Sequence, residues 1–343
     1  METPSGRLTL REIARDAGVS LATLDRVLHG RSGVREETAR RVRDSIARHA
    51  GRVGDDATGR SRAMKFAFVM PEGANVFMAA IADHVIEMSS WLAARNVSVE
   101  TVTTDVFNPS KLSETLESLQ GRFDGAAVVA LDHQSVRAAI DDLVVSGMYV
   151  VTLVSDVPGS RRHHYVGIDN VAAGRTAGAL VGRLSRHDQG EIGVVAGSQL
   201  LRDHAERIFG FQQVMGLEFP QFALLNPVEG GDQDEANENL TLRLLSDHPD
   251  LVGLYNVGAG TIGVGKALTE SGRDMRTVFV AHDLTPFTRR SLLRGTMDAV
   301  IAQDPGHEAR SAIRVLMALT RGEPLLSEQE RIRIDIIMRD NLP

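Results

Sequence analysis

Residues 10–30 read LREIARDAGVSLATLDRVLHG, and their apolar residues recur at the spacing of two short helices. One face of the first helix carries Leu10, Ile13, Ala14 and Ala17. Gly18 then ends this helix, and Ser20 can cap a second one that stops at Gly30. Two helices joined by a short glycine-containing turn are typical of the helix-turn-helix, whose second helix enters the major groove of DNA.

The second helix has a polar face and an apolar face. The polar face carries Ala22, Asp25, Arg26 and His29, and the apolar face carries Leu24, Val27 and Leu28. A third helix is predicted over about residues 36–49. The pattern favours DNA binding, and the alternative is an ordinary three-helix bundle with a solvated polar face. Asp25 could pair with His29, hold a nearby arginine, accept a hydrogen bond from cytosine N4, or have no role.

Charge is distributed unevenly along the chain. Residues 1–65 hold 14 Lys and Arg against 9 Asp and Glu, whereas the remainder holds 24 against 36, within a net charge of −7. A basic segment attracts a polyanion and an acidic one is repelled by it. We therefore expect any contact with nucleic acid to be confined to the N-terminal segment.

Composition excludes several classes of protein. The chain has 343 residues, 43% of them hydrophobic, which is enough for two or three packed units. It has no cysteine, so it has no disulfide and no thiolate metal site, and its eleven histidines show no metal-ligand spacing. No apolar run approaches the ~20 residues that span a bilayer, and no secretion signal is recognisable. We expect a cytoplasmic protein without a membrane role.

A linker separates the N-terminal helices from a larger body. Residues 51–62, GRVGDDATGRSR, have three glycines and only one apolar side chain larger than alanine. Eleven apolar runs then alternate with helical stretches, which predicts parallel, doubly wound sheets divided between two βα subdomains. The predicted strands are 65–70, 97–104, 125–131, 149–155, 165–169, 190–197, 222–228, 251–257, 277–283, 297–304 and 331–337.

Ligands of doubly wound sheets bind at the carboxyl ends of the strands. Polar residues at these ends are Asn75, Asp132, Ser155, Asp156, Asn256, Asp283 and Gln303. In HAERIFGF, Arg207 near the start of a helix is by default a surface residue, but it could also bind a ligand oxygen with two donors.

A glycine motif raises a different function. Gly258, Gly260 and Gly263 form G-x-G-x-x-G between a predicted strand and a helix, and Asp283 follows at the end of the next strand. This is the context of a dinucleotide fingerprint, so a nicotinamide-dependent oxidoreductase is an alternative. The competing interpretation is a glycine-rich turn that packs closely. The overlapping G-x-x-x-x-G-K has Ala267 where a P-loop has a hydroxyl residue.

The N-terminal stretch resembles the headpiece of the lactose-repressor (LacI/GalR) family. LREIARDAGVSLATLDRVLHG, followed by VREETARRV at 34–42, carries the resemblance over about the first 50 residues. The resemblance implies a three-helix helix-turn-helix that binds operator DNA. The residues it assigns to DNA contact are Thr9, Ser20, Leu21, Ala22, Asp25, Arg26 and His29.

The body resembles the periplasmic sugar-binding fold that these repressors share. ANVFMAAI, AERIFGF, VAHDLTP and VIAQDP are similar to segments that hold the sugar. The resemblance implies that the effector ligands are Asn75, Phe77, Arg207, Asp283 and Gln303, with either Ser155 or Asp156 and either Asn256 or Thr261 in addition. Carboxylates, amides, an arginine and an aromatic face suit a small carbohydrate or polyol.

The sequence departs from the family at three places. Asp25 stands where the family usually has serine, and His29 where it usually has asparagine. The linker has neither the Pro-Asn entry nor the Ala-Arg-x-Leu hinge helix whose leucine enters the minor groove. The operator sequence of a relative therefore does not transfer to this chain.

Together these features predict a dimeric transcriptional repressor without a cofactor or a metal. The predicted domains are a headpiece over 1–50, a linker over 51–63 and an effector domain over 64–343. Within the last, one subdomain covers about 64–169 and 304–330, and the other about 170–303 and 332–343. The alternatives are the oxidoreductase already named and a sugar-binding protein whose headpiece has lost its function.

Overall fold

The computed structural model describes residues 14–28, 34–35, 38–42, 45, 62–73, 75–325 and 328–343. The chain divides into two compact units, Met1–Ala63 and Met64–Pro343. None of the described helices has the length and apolarity needed to span a bilayer.

The described part of the first unit centres on helix α1 (Leu21–Leu28). Ser20 caps it as predicted, because the Thr23 backbone N–H donates to Ser20 Oγ over 3.2 Å. A small core joins the helices through Ala14, Ala17, Leu24 and Val42, with Val19 and Val27 packed against it. Ser20, Leu21 and Arg26 are exposed. Thr9, His29 and the linker through residue 61, together with the side chains of Ala22 and Asp25, lie outside the described residues.

The second unit contains two sheets. The first has the order β2-β1-β3-β4-β5 and is parallel throughout. Its strands are β1 (Met64–Pro71), β2 (Val97–Thr104), β3 (Gly125–Val128), β4 (Tyr149–Leu153) and β5 (His164–Val166). Alternate residues of β1 pack on opposite faces, Phe66 and Phe68 in one core cluster and Ala67 and Val69 in another. Both faces are covered by helices, as a parallel sheet requires.

The second sheet has the order β12-β11-β10-β9-β6-β7, and β8 also pairs with β6. Its strands are β6 (Gly190–Ala196), β7 (Phe222–Leu224), β8 (Val228–Glu229), β9 (Leu251–Asn256), β10 (Val278–His282), β11 (Ala299–Ala302) and β12 (Asp335–Ile337). The single strand predicted over 222–228 is wrong, since β7 and β8 pair with separate parts of β6. Of the predicted 331–337 only β12 pairs, and it is antiparallel to β11.

Helices follow most strands and are capped at the same edge of the sheets. The helices of this unit are α2 (Val76–Glu87), α3 (Ser89–Ala93), α4 (Pro109–Glu117), α5 (Gln134–Val145), α6 (Asn170–Leu184), α7 (Arg202–Glu218), α8 (Asp234–Asp247), α9 (Thr261–Glu270), α10 (Pro286–Arg294) and α11 (Pro305–Arg321), with a 3-10 turn at Arg339–Asn341. Side chains of Asn75, Asn108, Asp169 and Asp304 cap four of them.

The chain crosses between the two sheets three times. It passes from β5 to α6, from β11 to α11, and back from α11 to β12. Helix α11 packs on β1, β3, β4 and β5 of the first sheet, although it follows a strand of the second. Because the strand ends of both sheets face each other near these crossings, they form the walls of one cleft.

Candidate functional site

Two adjoining cavities lie in the cleft between the sheets. The outer cavity has a volume of about 310 Å³ and the inner one about 40 Å³. They share lining residues from both sides, among them Asn75, Phe77 and Asp283. Of the nine predicted effector ligands, those that line the inner cavity are Asn75, Phe77, Ser155, Arg207, Asp283 and Gln303.

Asn75 caps helix α2 and also lines both cavities. Its Oδ1 caps α2 by accepting from the backbone N–H groups of Phe77 (3.0 Å) and Met78 (3.1 Å). An amide whose oxygen is occupied has its two N–H donors left for a ligand. Phe77 is buried and presents an apolar surface beside them.

A tight turn directs Ser155 into the inner cavity. Val154 has a φ of 64°, and the Ser155 backbone N–H donates to the Leu153 carbonyl over 2.6 Å. This is a γ-turn with a β-branched residue in the left-handed region, a strained arrangement. The Ser155 side chain is 1% exposed, and its hydroxyl has no partner among the described residues. The Ser155 hydroxyl is therefore available for a hydrogen bond to a polar group of a ligand in the cavity.

Arg207 is a buried residue on α7. Its Nε donates to Asn170 Oδ1 (2.8 Å) and its Nη1 to the carbonyl of Val257 (2.9 Å), so two of its three nitrogens are fixed by the protein. Its Nη2 has no partner among the described residues. The guanidinium is thus oriented by α6 and β9 and keeps one nitrogen for a ligand oxygen.

Asp283 and Gln303 meet at the ends of β10 and β11. Gln303 Nε2 donates to Asp283 Oδ1 over 3.3 Å, while Gln303 Oε1 has no partner among the described residues. Burial raises the pKa of Asp283 to about 6, although Arg207 and the hydrogen bond from Gln303 act to lower it. Asp283 also has a φ of 66°, which turns it away from the path of β10.

Three predicted residues lie outside the inner cavity. Asp156 pairs with Arg162 and accepts from Thr152 Oγ1, and it lines neither cavity. Asn256 Nδ2 holds the next turn through the carbonyls of residues 258 and 259 and through Thr261 Oγ1. Thr261 lines the outer cavity. Of the two pairs of alternatives, Ser155 and Thr261 line a cavity, whereas Asp156 and Asn256 line neither.

Three titratable residues of the inner cavity were not predicted from the sequence: Asp203, His204 and Asp232. Asp203 is buried, and its Oδ1 has no partner among the described residues. His204 Nδ1 accepts from the Ser198 backbone N–H over 3.3 Å. Burial raises the pKa of Asp232, and nearby His204 opposes this. Asp203 could have been found, because it precedes Arg207 by four residues and so shares its helix face.

Glu308 lies close to this group, in the first turn of α11. It is completely buried, and neither carboxylate oxygen has a partner among the described residues. Burial raises the pKa of Glu308 well above its usual value, and the carboxylate of Asp283 raises it further. The folded protein therefore holds the proton of Glu308 more tightly than an exposed glutamate would.

Close packing accounts for each glycine of the G-x-G-x-x-G motif. A Cβ at Gly258 would come within 2.5 Å of Asp232 Oδ1, and one at Gly263 within 1.8 Å of the Asp234 carbonyl. Gly260 has a φ of 72° and lies against Asn237. These contacts bring α8 and α9 together and supply the packing interpretation of the motif.

The inner cavity therefore holds four buried polar atoms without partners among the described residues. They are Ser155 Oγ, Asp203 Oδ1, Arg207 Nη2 and Gln303 Oε1. Leaving such atoms unpaired costs about 1–3 kcal/mol each. Two acceptors, one hydroxyl and one donor match a ligand that carries several hydroxyl groups. The described residues contain no cluster of three side chains that could hold a metal ion.

Comparison with protein families gives two matches. A family model described as periplasmic binding protein domain matches residues 66–324. A second, described as bacterial regulatory proteins, lacI family, matches residues 9–50. No curated protein is significantly similar to the chain.

Solved structures resemble the second unit in fold. A glucose-galactose binding protein from Geobacillus stearothermophilus has 22% identity and a TM-score of 0.75, covering 82% of this chain and 100% of its own. A solute binding protein from Burkholderia graminis C4D1M in complex with D-arabinose has 23% identity and a TM-score of 0.74, covering 84% and 98%. One from Agrobacterium vitis bound with alpha-D-tagatopyranose has 17% and 0.73, covering 81% and 95%.

Proposed function

The chain belongs to the periplasmic binding protein domain family and carries a lacI-family segment at its N-terminus, and on this premise we propose that it is a transcriptional repressor controlled by a small carbohydrate or polyol. The observation that carries the proposal is the set of four unpartnered polar atoms around the inner cavity. Hydroxyl groups can satisfy all four, since each hydroxyl both donates and accepts.

The headpiece would bind operator DNA. Arg26 and Ser20 are exposed on and beside α1, and the net positive charge of residues 1–65 favours a polyanion. Thr9, Leu21, Ala22, Asp25 and His29 complete the proposed contact set. We place residues 1–50 in the headpiece, 51–63 in the linker and 64–343 in the effector domain. Two copies related by a two-fold axis would bind successive half-sites in the cytoplasm.

The effector would act by favouring one arrangement of the two subdomains. We assign the first subdomain to about 64–169 and 304–330, and the second to about 170–303 and 332–343. A ligand that contacts both sides of the cleft binds the two arrangements with different affinity, and this difference is the only source of its effect on DNA binding.

Calorimetric titration of the full-length protein tests the effector. The panel comprises neutral pentoses, hexoses and cyclitols, together with NAD⁺ and NADH. We expect at least one neutral sugar or cyclitol to bind and neither dinucleotide to bind tightly. Tight NAD binding with no response to any sugar would instead support the oxidoreductase.

A gel shift on the promoter beside the protein's own gene tests the headpiece. We expect a shifted band at low salt. Its intensity should change when the sugar that binds in the calorimetric titration is added. A protein that binds sugar but shifts no DNA, with or without sugar, would be a sugar-binding protein with an inactive headpiece. Arg26→Ala should weaken the shift, and an unchanged shift would place the contact elsewhere.

A further inference from the structure

The outer cavity is larger than the inner one and has a different chemistry. Its volume is about 310 Å³ against about 40 Å³. Apolar side chains from both subdomains line it, including Val76, Val106, Phe107, Ile262, Pro286 and Phe287. By contrast, four buried polar atoms that lack partners among the described residues belong to residues of the inner cavity, and one, His282 Nδ1, belongs to a residue of the outer cavity alone. One site therefore offers a polar end and an apolar end to the same ligand.

The apolar walls are held in place by the protein. The ring of Phe287 lies against α9, where a Cβ at Gly265 would come within 2.7 Å of Phe287 Cζ. The turn that carries Phe107 is fixed because the backbone N–H of that residue donates to Asp105 Oδ1 over 3.2 Å. Phe77 is buried and lines both cavities, so it marks their junction. A preformed apolar pocket costs a ligand little ordering free energy.

The charges at the outer cavity disfavour an anionic group. Its acidic lining residues are Glu72, Asp232, Asp234 and Asp283, and its only Lys or Arg among the described lining residues is Arg290. A phosphate in this cavity would be repelled by several carboxylates of its lining. The surroundings therefore argue against a phosphorylated sugar and for an uncharged substituent.

We propose, on the premise that the cleft binds a carbohydrate or polyol, that the effector is a two-part molecule. Its hydroxyl-rich head lies where the two cavities meet and directs hydroxyl groups into the inner cavity toward Ser155, Asp203 and Gln303, because about 40 Å³ is too small for a whole sugar ring. An uncharged apolar substituent, as in an alkyl or aryl glycoside, occupies the outer cavity between Phe107, Ile262 and Phe287. Each buried methylene group of that substituent raises affinity about three- to fourfold.

Calorimetry of the full-length protein with a matched series tests this proposal. For D-glucose, D-galactose and D-xylose, the series comprises the free sugar and its methyl, hexyl and phenyl glycosides, with glucose 6-phosphate and galactose 6-phosphate added. For the sugar that binds, we expect the hexyl and phenyl glycosides to bind at least tenfold tighter than the methyl glycoside, and its phosphate ester to bind more weakly than the free sugar.

The outcomes separate the two proposals. If free sugars bind and their hexyl and phenyl glycosides bind equally or more weakly than the methyl glycoside, the two-part effector is wrong while the proposed function stands. If no sugar or glycoside of the wider panel binds, the proposed function itself fails. Tighter binding of a phosphate ester than of its parent sugar would also overturn the two-part proposal.

Variants locate the apolar end. Phe287→Ala should reduce the affinity ratio of hexyl to methyl glycoside at least fivefold. Leu293→Ala on the same helix is the matched control, since Leu293 is 58% exposed and lines neither cavity, and it should keep the wild-type ratio. Should Phe287→Ala fold poorly, Ile262→Ser removes apolar surface from another wall. If folded Phe287→Ala and Ile262→Ser variants both keep the wild-type affinity ratio of hexyl to methyl glycoside, the substituent lies elsewhere.

Discussion

The backbone is strained at Val154, where the chain leaves β4 and turns into the wall of the inner cavity. Its φ of 64° is unusual for a β-branched residue. Among the described residues, the non-glycine residues with positive φ are Asn96, Val154, Asp232 and Asp283. Three of these four line the inner cavity. Backbone strain thus coincides with the ends of the elements from which polar side chains turn into the cleft.

Ser155 offers a direct test of the inner cavity. Its hydroxyl has no partner among the described residues, so Ser155→Ala should leave the melting temperature unchanged or slightly raised. If the hydroxyl contacts the effector, affinity should fall about three- to tenfold, the value of one hydrogen bond. Calorimetry and thermal unfolding measure the two effects.

Thr152→Val is the matched control for Ser155. Thr152 lies on β4, three residues before Ser155, and its hydroxyl donates to Asp156 over 2.6 Å, outside both cavities. This variant should lower the melting temperature without changing effector affinity. Unchanged effector affinity in Ser155→Ala would remove Ser155 from the proposed ligand set.

The buried carboxyl group of Glu308 should make the stability of the protein depend on pH. Burial raises the pKa of Glu308 above that of the unfolded chain, so the folded protein holds this proton more tightly. The corresponding stability is present below the unfolded pKa, near 4.5, and is lost as pH rises above it. Glu308→Gln has no proton to lose. Its melting temperature should therefore exceed that of the wild type by an increasing margin, of a few degrees, between pH 5 and pH 8.

Glu330 is the control of opposite sign. Burial would raise its pKa, but hydrogen bonds from Arg314 and Ser311 outweigh burial and lower it. Its stabilising effect is present above the unfolded pKa and is lost as pH falls. Glu330→Gln should therefore lower the melting temperature at pH 7. If the difference in melting temperature between Glu308→Gln and the wild type did not change with pH, the raised pKa of Glu308 would be contradicted.

Individual site residues were predictable from the sequence to different degrees. Asn75, Asp283 and Gln303 follow strands, so their position at the cleft could be expected from the fold class. The sequence does not show whether Ser155 or Asp156 faces the cavity, because this depends on the left-handed turn at Val154. A β-branched residue rarely adopts that conformation, so the turn is not predictable from the sequence. Asp203 was missed because it lies on a helix, away from any strand end.

At the scale of elements, helices α6 and α7 position Arg207 through close contact. A Cβ on Gly174 of α6 would lie 1.9 Å from the Arg207 carbonyl oxygen, and one on Gly210 of α7 would lie 2.2 Å from the Val171 carbonyl oxygen. Such contacts allow the two helix backbones to approach each other without intervening side chains. The separation of these helices therefore sets how far Arg207 reaches into the cleft.

Gly174→Ala tests this arrangement. The added methyl group would force α7 away at Arg207, so we expect a loss of about 1–3 kcal/mol in the free energy of unfolding and weaker effector binding. Chemical denaturation and calorimetry give the two values. The control is Gly216→Ala near the end of α7, where a Cβ meets nothing within 4 Å. It should add up to about 1 kcal/mol of stability and keep effector affinity. Equal behaviour of the two variants would contradict the close-contact role.

Strand positions were predictable both for β6, whose residues are mostly buried, and for the edge strand β2, whose residues are mostly exposed or half-buried. The predicted strand at 97–104 coincides with β2, and 190–197 differs from β6 by one residue. Several predictions ran too long, as at 149–155, where the backbone leaves the sheet at Val154 to form the cavity wall. The alternating pattern of 331–337 suggested a longer strand than β12, which pairs with the short β11. Pairing partners, which the local pattern does not contain, decide these lengths.

At the scale of the whole molecule, regulation requires that the effector and the operator influence each other. If the sugar changes operator affinity by some factor, the operator changes sugar affinity by the same factor. The structure offers a physical route that begins in the cleft. Arg207 Nε donates to Asn170 Oδ1, and Asn170 Nδ2 donates to the hydroxyl of Tyr165 over 3.1 Å. The Tyr165 hydroxyl in turn lies 2.9 Å from the Val154 carbonyl and 3.2 Å from that of Ile168.

This chain of hydrogen bonds ends at the crossing between β5 and α6, where the chain passes from the first sheet to the second. A ligand on Arg207 Nη2 would therefore be connected through hydrogen bonds to the segment that links the two sheets. Tyr165→Phe removes the hydroxyl that joins Asn170 to the carbonyls of Val154 and Ile168. We expect it to reduce the coupling factor several-fold, within the 5- to 150-fold range typical of allosteric proteins.

The measurement is a closed thermodynamic cycle on the full-length protein: operator affinity with and without sugar, and sugar affinity with and without operator. Tyr149→Phe is the control, because the Tyr149 ring packs against that of His163 and its hydroxyl makes no hydrogen bond to the crossing among the described residues. Its coupling factor should equal that of the wild type. If Tyr165→Phe keeps the full coupling factor, the proposed coupling between the cleft and the headpiece depends on other contacts, such as the second crossing at Gln303 and Asp304. Gln303→Ala should then lower the coupling factor.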